Sequence, residues 1–92
     1  MTKAPTPLMR GEPTTREKEI QDWISAAIAQ VIKVAPGDID INISFERYGL
    51  DSQAAVELTG DLERWLHRKL PPTLLYDYPT IRSVSAYLAV TG

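Results

Sequence analysis

Residues 48–58 read YGLDSQAAVEL, and this stretch decides how the rest of the chain is parsed. Tyr48, Gly49 and Leu50 lead in, Asp51 and Ser52 follow, and from there the apolar residues take up helical spacing. Asp51 is a good N-cap, because its carboxylate can accept from the unpartnered first amides and oppose the positive end of the helix dipole. The spacing predicts a helix from Ser52 to Lys69 or Leu70, with Ala55, Leu58, Thr59, Leu62, Leu66 and Leu70 as its core stripe. Acids gather early (Asp51, Glu57, Asp61, Glu63) and bases late (Arg64, Arg68, Lys69), as the dipole favours. Pro71 and Pro72 end it, since proline has no N–H to give and clashes with the preceding turn. Gly60 lies inside this helix, where it either lets a neighbour approach closely or is simply tolerated.

Upstream, Thr14 and Glu17 stand in capping-box spacing. Ile20, Trp23, Ile24, Ala27, Ile28, Val31 and Ile32 then repeat at three and four, predicting a helix over 14–34 that Pro36 and Gly37 stop. In DIDINISF, residues 38–45, Ile39, Ile41, Ile43 and Phe45 alternate with polar residues. That is the period of a strand, but no second alternating run exists to pair with it, and a lone strand is unstable. An extended loop pinning apolar side chains onto a helical core is the expectation. Downstream, TLLYDY at 73–78 leaves room for one short helical turn closed by Pro79. Thr80 then caps a last helix that buries Ile81, Val84, Tyr87 and Leu88. Trp23, Trp65, Tyr76, Tyr78 and Tyr87 are assigned to packing or its rim.

The fold class that follows is all-α: a small four-helix bundle with three main helices and a short third one. One domain is expected over 14–91, preceded by a flexible Pro/Thr-rich tail over 1–13. The chain has 92 residues, 43% of them hydrophobic, so a modest core can form. It has no cysteine, which excludes disulfides and thiolate metal sites, and one histidine, His67, too little for a zinc site. A net charge of −2 argues against nucleic-acid binding, and no apolar run approaches the span of a bilayer. The N-terminal residues lack an apolar signal core, so export is not expected; a cytoplasmic monomer that binds neither nucleic acid nor membrane is the expectation.

Ser52 admits three readings: a helix cap, a nucleophile or a modification point. A catalytic serine needs a base within hydrogen-bond reach and a third group to orient that base. His67 stands fifteen residues along the same helix, about 22 Å away at roughly 1.5 Å per residue. Hydrolysis is therefore set aside, and ester cleavage dependent on His67 is not expected. A serine modified by an outside enzyme needs no base of its own. The amides and dipole of a helix start also welcome an added phosphate.

YGLDSQAAVEL resembles the attachment motif of acyl carrier proteins, in which the serine of a G-x-D-S sequence bears a 4'-phosphopantetheine arm. LTGDLERWL is similar to the continuation of the carriers' second helix, and LLYDYPTIRSVSAYL to their short third helix and the start of the fourth. The style is that of modular polyketide synthase carriers, and the resemblance covers about 15–90. Peptidyl carriers more often place a second glycine where Leu50 stands, which tilts the reading towards polyketide or fatty-acyl traffic. One departure is Gln53, where the family usually has Leu or Met.

The resemblance implies a shuttle with no chemistry of its own. A phosphopantetheinyl transferase would move the arm from coenzyme A to Ser52, with Asp51 capping the helix beside the site. An acyltransferase or acyl-AMP ligase would load the arm, and a ketosynthase or other synthase domain would receive the cargo. Leu50, Gln53, Val56, Glu57 and Asp61 are the candidate partner surface, with Glu63 as a further acid able to meet basic patches. The alternatives are an unmodified helical docking module and a peptidyl carrier of a nonribosomal peptide synthetase.

Overall fold

The apolar face of the first helix is where the core begins. In the computed structural model, which describes residues 15–91, α1 spans Thr15–Ile32 and buries Ile20, Ile24 and Ile28 completely or nearly so. The tail expected over 1–13 and the Thr14 half of the capping box lie outside the described residues. α1 stops two residues short of Val34 because Lys33 turns left-handed (φ 62°), which returns the Val34 N–H to the Ala29 carbonyl at 3.0 Å. Val31, expected on the apolar face, lies at the edge of the stripe and is exposed.

α2 (Ser52–Leu66), α3 (Leu74–Asp77) and α4 (Ile81–Thr91) complete an all-helical bundle. Leu58 and Leu62 of α2, Leu74 and Leu75 of α3, and Ile81, Val84 and Leu88 of α4 close on the α1 isoleucines, with Phe45 and Leu70 entering from the connections. α4 packs against α1. Trp23 of α1 stacks on Trp65 of α2 with ring centroids 5.1 Å apart, and the Arg16 guanidinium lies 5.9 Å from the Trp65 ring. Tyr78 stacks on Tyr87 at 4.2 Å, which fixes the corner between α3 and α4. These four aromatic residues are packing residues, as expected.

The alternating run is a loop and not a strand. Two single 3-10 turns, Pro36–Asp38 and Phe45–Tyr48, bracket it. Phe45 is buried, and Ile39 and Ile41 are half-buried against the core. The loop is held by two backbone ties to the segment at the start of α4 and by one tyrosine clasp within the connection. Phe45 N–H donates to the Pro79 carbonyl at 2.8 Å, and Arg82 N–H to the Ile41 carbonyl at 3.0 Å. The Tyr48 hydroxyl accepts from Asp40 N–H and donates to the Asp40 carbonyl.

α2 ends earlier than its spacing suggests. His67 takes the left-handed conformation (φ 56°) and caps the helix, so Leu66 is the last helical residue and is only half-buried. Leu70 reaches the core from outside the helix. The two prolines forbid a helix beyond Leu70, but the chain has already left it at His67.

α4 starts as the sequence implies. Thr80 Oγ1 accepts from Ser83 N–H at 3.0 Å, and Ser83 Oγ accepts from Thr80 N–H at 3.1 Å, a reciprocal cap.

Candidate functional site

The start of α2 is built by a sharp change of backbone direction. Gly49 is left-handed (φ 83°), a conformation that a side chain disfavours, and it turns the chain out of the preceding 3-10 turn. Leu50 is thereby held half-buried against the core. Asp51 follows in extended conformation, and its Oδ1 accepts from Ala54 N–H at 2.8 Å. Ala55 N–H donates to the Asp51 carbonyl at 2.9 Å, the first bond of the helix. Helix geometry leaves the Ser52 and Gln53 amides without intrahelical acceptors.

Ser52 is thus the first helical residue, and it is exposed. Its Oγ accepts a hydrogen bond from the Tyr76 hydroxyl of α3 at 2.7 Å. Tyr76, assigned from sequence to packing or its rim, is 60% exposed, and its hydroxyl in addition touches Ser52. No local spacing signals a pair twenty-four residues apart; only the docking of α3 beside the start of α2 brings it together.

An open cleft of about 470 Å³ lies beside this pair. Phe45, Leu50, Ala55, Leu75 and Pro79 give it an apolar lining, and its polar residues are Ser44, Glu46, Asp51, Ser52 and Tyr76. Two carboxylates but no lysine or arginine therefore line it. His67 sits at the opposite end of α2, so the geometry supplies Ser52 with a tyrosine neighbour and no imidazole. Such a serine is suited to modification by an incoming enzyme and unsuited to attack on its own account. A phosphate ester fits here, with an accessible hydroxyl, unengaged first-turn amides and the Tyr76 donor all at one point.

The remaining sequence-selected residues lie along the outer face of α2. Gln53, Val56, Glu57 and Asp61 are exposed, and Val56 is an apolar side chain 49% open to solvent. Asp61 is engaged by Arg64 one turn on, so its charge is partly offset within the helix. Glu63 behaves differently from the other acids: it is half-buried and accepts from Leu70 N–H at 2.7 Å. Among the described residues no cluster of His, Cys, Asp and Glu could hold a metal ion, and no helix is long and apolar enough to cross a membrane.

Comparison with known proteins places this geometry in context. The family model described as phosphopantetheine attachment site matches residues 22–88. The chain is 39% identical over 54 residues to the acyl carrier protein TtuC of Teredinibacter turnerae, covering 59% of this chain and 62% of TtuC. It is 30% identical over 70 residues to the polyketide synthase PksL of Bacillus subtilis, covering 76% of this chain and 2% of that synthase. Among solved structures, Asl1650 from Anabaena, an acyl carrier protein with a variant phosphopantetheinylation-site sequence, superposes with a TM-score of 0.79 at 36% identity. That match covers 94% of this chain and 98% of Asl1650. A free-standing peptidyl carrier protein from Acinetobacter baumannii gives 0.77 at 37% identity, over 85% of this chain and 98% of that one.

Proposed function

The chain belongs to the phosphopantetheine attachment-site family of acyl carrier proteins, and from that membership we propose that Ser52 is the residue that bears the arm. The observation that carries this assignment is the exposed Ser52 hydroxyl at the start of α2, beside the Asp51 cap and bonded to Tyr76. When bound, 4'-phosphopantetheine supplies a terminal thiol on which acyl groups are held as thioesters. The chain's own residues supply the rest. Ser52 offers its oxygen, Asp51 holds the first turn of α2 in place, and the Ser52 and Gln53 amides favour the added negative charge. The protein itself is not an enzyme in this reading.

The proposed partner surface is the outer face of α2, with Gln53, Val56, Glu57 and Asp61, together with the half-buried Leu50 just before the helix. Its acids would steer a phosphopantetheinyl transferase, a loading acyltransferase or acyl-AMP ligase, and a ketosynthase or other synthase domain into transient, salt-sensitive encounters. Gln53 stands where these enzymes approach and is the side chain on which partner choice turns. A monomer working in the cytoplasm, with the domain over 14–91, completes the proposal.

Leu50 supports polyketide or fatty-acyl cargo. The likeness to the Acinetobacter peptidyl carrier favours a second reading, an aminoacyl cargo on the same serine. An unmodified docking module no longer accounts for the chain, given the family it belongs to. The test is to incubate the protein with coenzyme A and a phosphopantetheinyl transferase of broad specificity and read the intact mass. A gain of one phosphopantetheine that disappears in Ser52→Ala is expected. A gain that persists in Ser52→Ala overturns the site assignment.

A further inference from the structure

We propose that Tyr76 is a ligand of the phosphodiester formed on Ser52: its hydroxyl donates to a charged phosphoryl oxygen and ties α3 to the modified serine. The inference rests on the assignment of Ser52 above and concerns what the chain does once that serine is esterified.

Tyr76 is set apart from the other aromatic residues. Trp23 pairs with Trp65, Tyr78 with Tyr87, Tyr48 bonds the Asp40 backbone, and Phe45 is buried in the core. Tyr76 instead is 60% exposed and donates its hydroxyl to Ser52 Oγ at 2.7 Å. Leu74 and Leu75, immediately before it, are buried, so the backbone that carries the hydroxyl is anchored.

Esterification changes the acceptor that Tyr76 faces. In the unmodified protein the acceptor is a neutral hydroxyl oxygen. After transfer that oxygen becomes an ester bridge, a poor acceptor, and the phosphate attached to it carries a full negative charge on its non-bridging oxygens. Hydrogen bonds to an ionised acceptor are about twice as strong as neutral ones. A donor already within bonding distance of Oγ therefore moves to the stronger acceptor next to it. The surroundings sharpen the point: the residues lining the cleft include Glu46 and Asp51 and no lysine or arginine. The new charge is left to neutral donors, and Tyr76 is the side chain already turned towards it.

The consequence falls on α3, a helix of four residues held by few bonds of its own. The Asp77 and Tyr78 amides donate to the Thr73 and Leu74 carbonyls at 3.1 and 2.9 Å. A charge-assisted bond from Tyr76 holds this turn more firmly in the modified protein than in the unmodified one.

The experiment uses the full chain and Tyr76→Phe, each before and after modification with coenzyme A and a transferase, the product verified by intact mass. Two quantities are read: the 31P chemical shift of the phosphodiester and the hydrogen exchange of the Asp77 and Tyr78 amides. The expected result is that modification slows those amides about five-fold in the unsubstituted protein, does not slow them in Tyr76→Phe, and leaves the two proteins with different 31P shifts. A gain in mass confined to Ser52, together with equal slowing and identical 31P shifts in both proteins, overturns the role of Tyr76 alone. A gain that persists in Ser52→Ala overturns the attachment site and this proposal with it.

Discussion

Glu63 holds the end of α2 with both its backbone and its side chain: its carbonyl accepts from His67 and Arg68, and its carboxylate accepts from Leu70 N–H at 2.7 Å. The turn that follows is what sends Leu70 into the core, with Arg68 fastened to the Leu88 carbonyl and the Thr91 hydroxyl of α4. Glu63 is therefore a structural acceptor, whatever part its half-buried carboxylate also plays towards partners. Glu63→Ala leaves the half-buried Leu70 amide without its acceptor and is expected to cost about 1–2 kcal/mol. Urea unfolding checks this, and a midpoint unchanged from the parent would contradict it.

His67 adopts a left-handed backbone, which costs a side-chain-bearing residue about 1 kcal/mol and glycine almost nothing. Its ring is exposed at the pole of α2 away from Ser52. His67→Gly should raise stability by about 0.5–1 kcal/mol and leave modification of Ser52 unaffected. Thermal melts and the transferase mass assay read the two halves of that statement.

Gly60 needs no close approach. A Cβ there would meet only the Arg64 guanidinium, at 4.0 Å, and no neighbouring helix. Close approach of a neighbouring helix, one reading open from sequence, is therefore not what places a glycine here. Gly60→Ala is expected to stabilise the protein by about 0.5–1 kcal/mol, measured as a shift in the denaturation midpoint.

Asp51 separates capping from charge. Asn caps about as well as Asp, whereas Ala does not, so Asp51→Ala should lose about 1 kcal/mol and Asp51→Asn nearly nothing. Loss of stability in Asp51→Asn equal to that in Asp51→Ala would show that the carboxylate charge, and not the cap, is what matters. Comparing the rates of modification of the two variants reports which property the transferase reads.

Ser85 is fully buried in α4, and its hydroxyl has no hydrogen-bond partner among the described residues. Burying a hydroxyl unpaired is unfavourable, so Ser85→Ala should be neutral or stabilising by up to about 1 kcal/mol. Calorimetry decides it, and a clear destabilisation would reveal a partner for the hydroxyl.

Much of this molecule follows from neighbours in the chain. The apolar spacing around Ile24, Leu62 and Leu88 marks three helices, because a helix must bury one face and that face recurs every three to four residues. The caps at Asp51 and Thr80 were legible for the same reason, since each bonds an amide three residues away. So was the loop status of 38–45, because a strand needs a second alternating run to pair with and the sequence offers none. Ser52, the serine proposed for attachment, could be singled out because access and a helix start are local properties. What the chain's order could not reveal depends on residues far apart in it. The end of α2 at Leu66 is decided by how the segment through Leu70 turns back to reach the core and α4, a competition between packing and helix continuation. The bond from Tyr76 to Ser52 exists only because Leu74 and Leu75 dock α3 beside the first turn of α2. Helical periodicity reports which face is buried, and only the packed bundle reports which hydroxyl that burial places against another.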